Sequence, residues 1–237
     1  MLTNSKAGLV TLLLLVFLVN YGETWLETSP YTRSPVSAAD YRGAYAVQQF
    51  EPEFLNFEFH DTTVRWAMYA YSISYFVLFP VIAIGVLVAL ARRKALAPFR
   101  VLCVAATVDY FVSLPWFLLF AVPERWAYPE SNAILLSDLW SSNLIAAIRP
   151  ISALNNCFPS THVSFTVVIV AVCWLFHVRL RNTVSALGMT VILATFVLGI
   201  HWLADIVAGI LVGLLSVAIA WRFTDTSERR ELALESA

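Results

Sequence analysis

Two short segments carry the residue types that chemistry needs. They are Phe158-Pro159-Ser160-Thr161-His162 and His201-Trp202-Leu203-Ala204-Asp205, each at the end of a long apolar run. In the first, small hydroxyl residues and a histidine follow a proline suited to opening a helix, where backbone N–H groups without intrahelical acceptors can receive an anion. In the second, a histidine and an aspartate stand four apart, so that on one helical face the carboxylate can hold an imidazole nitrogen. One histidine with an acidic partner and another beside a phosphate-sized nest suit phosphoryl transfer through a histidine.

The elements that must position these groups are membrane helices. Hydrophobic residues make up 59% of the 237 residues and charged residues 13%, with a mean hydropathy of +0.74, which is too apolar for a soluble domain of this length. Six apolar segments are expected at 7–21, 67–91, 101–122, 163–178, 183–200 and 206–220, each near the roughly 20 residues that cross a bilayer. The fold class expected is therefore an all-α polytopic membrane bundle of six transmembrane helices. The first segment reads as a retained signal-anchor, since only Lys6 precedes a short apolar core and no A-x-A pattern follows before Glu23.

Between the first two spans, residues 22–66 interleave Tyr41, Tyr45, Phe50, Phe54, Phe57 and Phe59 with Glu51, Glu53, Glu58 and Arg65, and Pro30, Pro35 and Pro52 break the run. That composition suits one or two amphipathic helices lying at the headgroup level, where they can line the mouth of a site. The domain organisation expected is a signal-anchor and interfacial segment over 1–66, a catalytic membrane domain over 67–223, and a polar tail over 224–237. Cys103, Cys157 and Cys173 show no metal-type spacing and read as packing residues. A net charge of −1 gives no reason to expect a nucleic-acid partner.

Basic residues orient the bundle. With six spans, Lys6, Arg92, Arg93, Lys94, Arg100, Arg179, Arg181, Arg222, Arg229 and Arg230 all fall on one side, which the positive-inside bias makes cytoplasmic. His162 and His201 then emerge on the opposite, non-cytoplasmic face of a multi-pass cell-membrane protein.

These residues resemble the signatures of the type 2 phosphatidic acid phosphatase superfamily. Pro159-Ser160-Thr161-His162 is similar to its PS-x-H signature, and His201-x-x-x-Asp205 to the one whose histidine is the nucleophile. Within the superfamily the chain looks most like the inositol phosphorylceramide synthase-like branch, with FPS-x-H and T-x5-H-x3-D; Thr195 stands six before His201, where other branches have arginine. The resemblance covers roughly residue 67 onward. A further signature, a lysine seven residues before Arg-Pro, is not intact: Arg149-Pro150 has Ser142 at the lysine position. Arg125, just past the third apolar segment, is the second candidate for the positive charge that a bound phosphate needs.

The resemblance implies that His201, held by Asp205, attacks phosphorus and forms a phosphohistidine, while His162 protonates the leaving oxygen and then deprotonates the incoming water or alcohol. Ser160, Thr161 and backbone N–H groups, with Arg125 or Arg149, bind the phosphate oxygens. No metal or cofactor is required. The substrate implied is a membrane lipid phosphate or pyrophosphate, with inositol-phosphate transfer as the alternative; a homo-oligomer or a partner subunit is left open.

Other readings are weaker. A transporter would be expected to show repeated halves or paired broken helices, which the sequence lacks. A haem or metal protein would give Pro-Ser-x-His and a partnered aspartate no reason to occur together. His60 and His177 read as ordinary polar residues, Asp109 as an accessory polar group inside the third span, and Gly209-x-x-x-Gly213 as a close helix-packing seam.

Overall fold

Residues 2–28, 40–51, 62–131, 133, 135 and 155–223 are described in the computed structural model. Among them the chain is helical, with one isolated parallel bridge between Val122 and Asn156. The helices are α1 (Lys6–Thr28), α2 (Asp40–Gln48), α3 (Thr62–Ile73), α4 (Phe79–Ala91), α5 (Ala97–Leu119), α6 (Thr161–Leu175), α7 (Arg181–Val197) and α8 (Leu203–Arg222). The tail over 224–237, Arg149, Ser142 and His60 lie outside the described residues.

Four stretches are long and apolar enough to cross a membrane: Lys6–Leu26, Trp66–Ala91, Ala97–Leu119 and Leu203–Arg222. The other two expected spans are shorter apolar helices, α6 with 15 residues and α7 with 17. At 1.5 Å per residue these reach about 23 and 26 Å, less than a hydrocarbon core of about 30 Å. The chain is an integral membrane protein with at least these four membrane-length helices among the described residues. α1, expected over 7–21, extends to Thr28: no proline interrupts the chain before Pro30, and Trp25 and Leu26 resume its apolar character after Gly22, Glu23 and Thr24.

α3 and α4 form one rod through a π-helical turn, Ser74–Leu78. Pro80 has no N–H for the Phe76 carbonyl and its ring crowds that carbonyl, so the ladder widens locally; the Phe79 N–H bonds the Ser74 carbonyl instead. α6 packs most extensively on α8, which also packs on α5. Two glycines make the α6–α8 seam. A Cβ at Gly209 would lie 2.7 Å from the Ser160 carbonyl oxygen, and one at Gly213 would lie 2.5 Å from that of Ser164. The small-residue stripe thus acts as a packing seam, as the sequence suggested.

The two ends of the bundle differ. At one end Lys6 Nζ donates to the Arg93 carbonyl at 2.8 Å, Arg93 to the Phe176 carbonyl at 3.3 Å, and Arg100 Nε to the Thr3 carbonyl at 2.8 Å. The main apolar cluster, including Leu90, Phe99, Val172 and Val217, is built from α1, α4, α5, α6, α7 and α8. α6 and α8 begin at the other end side by side, with the Ser160 N–H donating to the Asp205 carbonyl at 3.2 Å. There α2 buries Ala44 and Val47 against Val122, Tyr128, Cys157 and Trp202.

Candidate active site

The starts of α6 and α8 position the two histidines. Ser160 caps α6, its hydroxyl accepting the Val163 N–H at 3.4 Å, and Thr161 is the first helical residue. Pro159 was expected to open this helix; it precedes the cap instead, because serine in extended backbone satisfies a free donor that proline cannot. His162 follows in the first turn, half-buried, with its ring stacked on Tyr75 at 4.2 Å and tilted against Phe79 at 4.6 Å. The Tyr75 hydroxyl lies 3.3 Å from His162 Nδ1. The π turn before Pro80 carries Tyr75.

His201 is not on a helical face with Asp205, as the four-residue spacing predicted. α7 ends at Val197, Gly199 takes a φ of 74°, and α8 starts only at Leu203, so His201 sits in the connecting turn. Only glycine enters that left-handed backbone region without strain. Asp205 occupies the third position of α8. Its Oδ2 accepts the Trp202 N–H at 3.0 Å and lies 3.4 Å from His201 Nδ1, long for a hydrogen bond. The capping role and the histidine contact use the same oxygen, so the helix start itself fixes the carboxylate beside the imidazole. The His201 N–H donates to the Thr195 carbonyl at 3.0 Å, which fixes the turn from the other side. The two histidine rings are 6.3 Å apart, centre to centre.

Arg125 is brought to the same turn. Its backbone N–H donates to the Ile200 carbonyl at 2.9 Å, and the Trp126 N–H to that of Gly199 at 3.0 Å. The guanidinium lies over the Phe196 ring at 5.1 Å. Burial lowers its pKa, and the negative charge of Glu51 opposes that shift; arginine remains charged at any ordinary pH. Arg149 lies outside the described residues. Thr161 is half-buried at the start of α6, its carbonyl accepting from Ser164 Oγ at 3.3 Å. Ser164 Oγ shares its one proton between that carbonyl and the nearer Asp109 Oδ2 at 2.9 Å, tying α5 to the site helix.

Sequence reasoning missed several groups that gather here. Tyr75 and Phe79 wall His162 from α3–α4, but nothing distinguishes them from other aromatics in an apolar run. Glu51 was read as part of a headgroup-level composition; its Oε1 accepts the Leu203 N–H at the start of α8. Burial raises the Glu51 pKa, while the Leu203 N–H and Arg125 pull it down. α2 is seated by Gly43, whose Cβ position would be 2.2 Å from the Ala121 carbonyl oxygen, and by Gln48 Nε2 donating to the Glu130 carbonyl at 3.2 Å. Cys157, read as packing, does pack in the α2 cluster, yet it also brings its sulfur into a group with His201 and Asp205 whose donor atoms lie within 4.8 Å of one another. Those are atom types that a zinc-like cation accepts.

His177 is at the far end of α6 from His162, with Nδ1 2.6 Å from an Arg181 nitrogen. It takes no part in the site.

The described residues define an all-helical membrane protein with two histidines, one backed by a carboxylate, at adjoining helix starts. The chain matches the PAP2 superfamily over residues 45–229, more than half its length, and it belongs to that superfamily. Members are phosphoric ester hydrolases and phosphotransferases. No curated protein and no solved structure matches the chain.

Proposed function

We propose that this protein is a metal-independent lipid phosphatase or phosphotransferase working through a phosphohistidine on His201. The observation that carries the reading is the His201–Asp205 contact of 3.4 Å beside His162, at the paired starts of α6 and α8. With its Nδ1 proton held by Asp205, His201 presents the Nε2 lone pair to phosphorus. Helix-start dipoles and the Arg125 charge favour the anion. His162 acts as the imidazolium, its Nδ1–H donating to the Tyr75 hydroxyl oxygen 3.3 Å away, and gives its Nε2 proton to the leaving oxygen, which leaves a neutral imidazole. It then removes a proton from the water or alcohol that takes the phosphoryl group. Ser160 and Thr161 contribute hydroxyls to the phosphate oxygens.

Arg125 is favoured over Arg149 as the phosphate arginine. Its guanidinium lies over Phe196, next to Thr195, the position where the resembling phosphatase branches carry arginine. The Thr195 hydroxyl is spent on the Ile192 carbonyl at 2.7 Å and is not free for phosphate. Thr195 also supports the likeness to the inositol phosphorylceramide synthase-like branch, and hence transfer of an inositol phosphate as the second reading.

In this reading α6 and α7 also cross the membrane, borrowing flanking residues to make six spans, with residues 67–223 as the catalytic domain and 1–66 as anchor and interfacial segment. The basic end is cytoplasmic and the site opens on the other face, reaching its lipid phosphate or pyrophosphate from the bilayer.

The test is to incubate purified protein with a panel of radiolabelled lipid phosphates, pyrophosphates and phosphoinositides, following free phosphate, new lipid and acid-labile protein label. Label that is lost in His201→Ala is expected. Turnover that persists in His201→Ala would overturn the mechanism.

A further inference from the structure

Against the turn that carries His201 is a cavity of about 330 Å³ whose described lining includes Tyr45, Gln48, Glu51, Arg125, Ser131 and Trp202. It flanks the nucleophile's turn on both sides: Trp202 directly follows His201, and the Arg125 N–H bonds the Ile200 carbonyl that precedes it. Its volume falls at the small end of ligand sites, so it can take one compact group and not a lipid chain. Size alone does not choose between a second phosphate and a small hydroxylated group. Charge does.

Among the described residues the lining carries two charged side chains, Glu51 and Arg125; Arg125 is the one assigned above to the reacting phosphate, which leaves Glu51 as the charge that faces a second group. Glu51 Oε1 is engaged by the Leu203 N–H, while its Oε2 is buried with no hydrogen-bond partner among the described residues. A buried acceptor without a partner is unfavourable, and a hydroxyl supplied by a ligand removes that cost. Gln48 uses its amide N–H on the Glu130 carbonyl, which leaves its amide oxygen as a second acceptor. Trp202 spends its indole N–H on the Pro123 carbonyl at 3.0 Å, so toward a ligand it offers only ring carbons. Acceptors beside an indole suit C–H and O–H groups. A phosphate would press its oxygens against the Glu51 carboxylate.

We propose that this cavity receives the group bonded to the reacting phosphate, and that it selects an uncharged, hydroxyl-bearing group over a second phosphate, with Glu51 as the specificity residue. The assignment rests on the phosphatase reading above. α2 brings the specificity residue to the site and α8 holds it there through Leu203, which gives the docked segment before the second span a function in substrate choice.

The experiment compares kcat/KM for two matched pairs of esters whose groups fit the cavity: ethyl phosphate with ethyl diphosphate, and glycerol 1-phosphate with propyl phosphate. The wild type is expected to prefer the monophosphate and the glycerol ester, each by about tenfold or more. Glu51→Gln keeps an amide oxygen for the Leu203 N–H but removes the charge, and should shift the monophosphate-to-diphosphate ratio about tenfold toward the diphosphate. Partial misfolding lowers both members of a pair alike and leaves each ratio unmoved. A wild type that prefers the diphosphate, or a Glu51→Gln ratio equal to that of the wild type, overturns the proposal while leaving the phosphatase reading intact. Turnover of none of the four esters overturns both.

Discussion

Replacing Gly209 by alanine puts a methyl group into the seam that sets the distance between the two histidines. Its Cβ would meet the Ser160 carbonyl oxygen at 2.7 Å and Val163 Cβ at 3.1 Å, whereas ordinary contact begins at 3.4 Å. The nearest obstruction is backbone, so α6 and α8 must part by the 0.7 Å between 2.7 and 3.4 Å. Ser160 caps the helix that carries His162 and donates to the Asp205 carbonyl, so the movement separates His162 from His201 and loosens the aspartate. A misplacement of about 1 Å costs on the order of 100-fold in rate; a slightly smaller one should cost about 10- to 100-fold in kcat/KM, or about 1.4–2.7 kcal/mol of barrier. Alanine also gains about 1 kcal/mol over glycine in helix propensity, which offsets part of the strain, so the melting temperature should fall far less than activity does. The assay is initial-rate hydrolysis of p-nitrophenyl phosphate by detergent-purified protein, with a thermal melt of each sample. Gly85→Ala is the control, since nothing lies within 4 Å of its Cβ position. Full activity in Gly209→Ala, or an equal loss in Gly85→Ala, would refute the idea that this seam sets the catalytic geometry.

His162→Ala should still give a burst of p-nitrophenol and a labelled His201 with p-nitrophenyl phosphate, whose leaving group needs no proton, while phosphohistidine formation from alkyl phosphates falls at least ~100-fold; equal loss on both would remove the division of roles between the histidines. Activity should survive dialysis against a chelator, because each proposed catalytic group is a side chain or a backbone N–H, and a loss restored by a divalent ion would count against that scheme. With the three native cysteines buried, Glu130→Cys should react with an impermeant thiol reagent from outside intact cells and Lys94→Cys should not; both positions are exposed, and the reverse pattern would invert the topology.

Which residues gather at the candidate site was partly legible in the chain, because the two motifs depend on short spacings. The composition required a membrane protein, the Pro-Ser-x-His and His-x-x-x-Asp strings supplied the histidines and carboxylate, and Gly209 with Gly213 announced a close seam, since only small residues let helix backbones approach so nearly. The sequence also grouped Lys6, Arg93 and Arg100, which meet at one end of the bundle through hydrogen bonds to the Arg93, Phe176 and Thr3 carbonyls. What the chain could not reveal was where a helix would stop. The spacing of His201 and Asp205 fits a helical face equally well, and only the turn at Gly199 places the histidine outside α8 and makes the aspartate both cap and partner. Nor does any local pattern bring Tyr75 to His162, 87 positions away, or Glu51 to Leu203, 152 positions away. Those contacts arise because the widened turn before Pro80 and the seating of Gly43 against Ala121 bring together backbone segments that are distant in the chain. Helical and turn preferences act over a few residues, whereas the walls of this site come from packing between elements, so only the tertiary structure could assemble them.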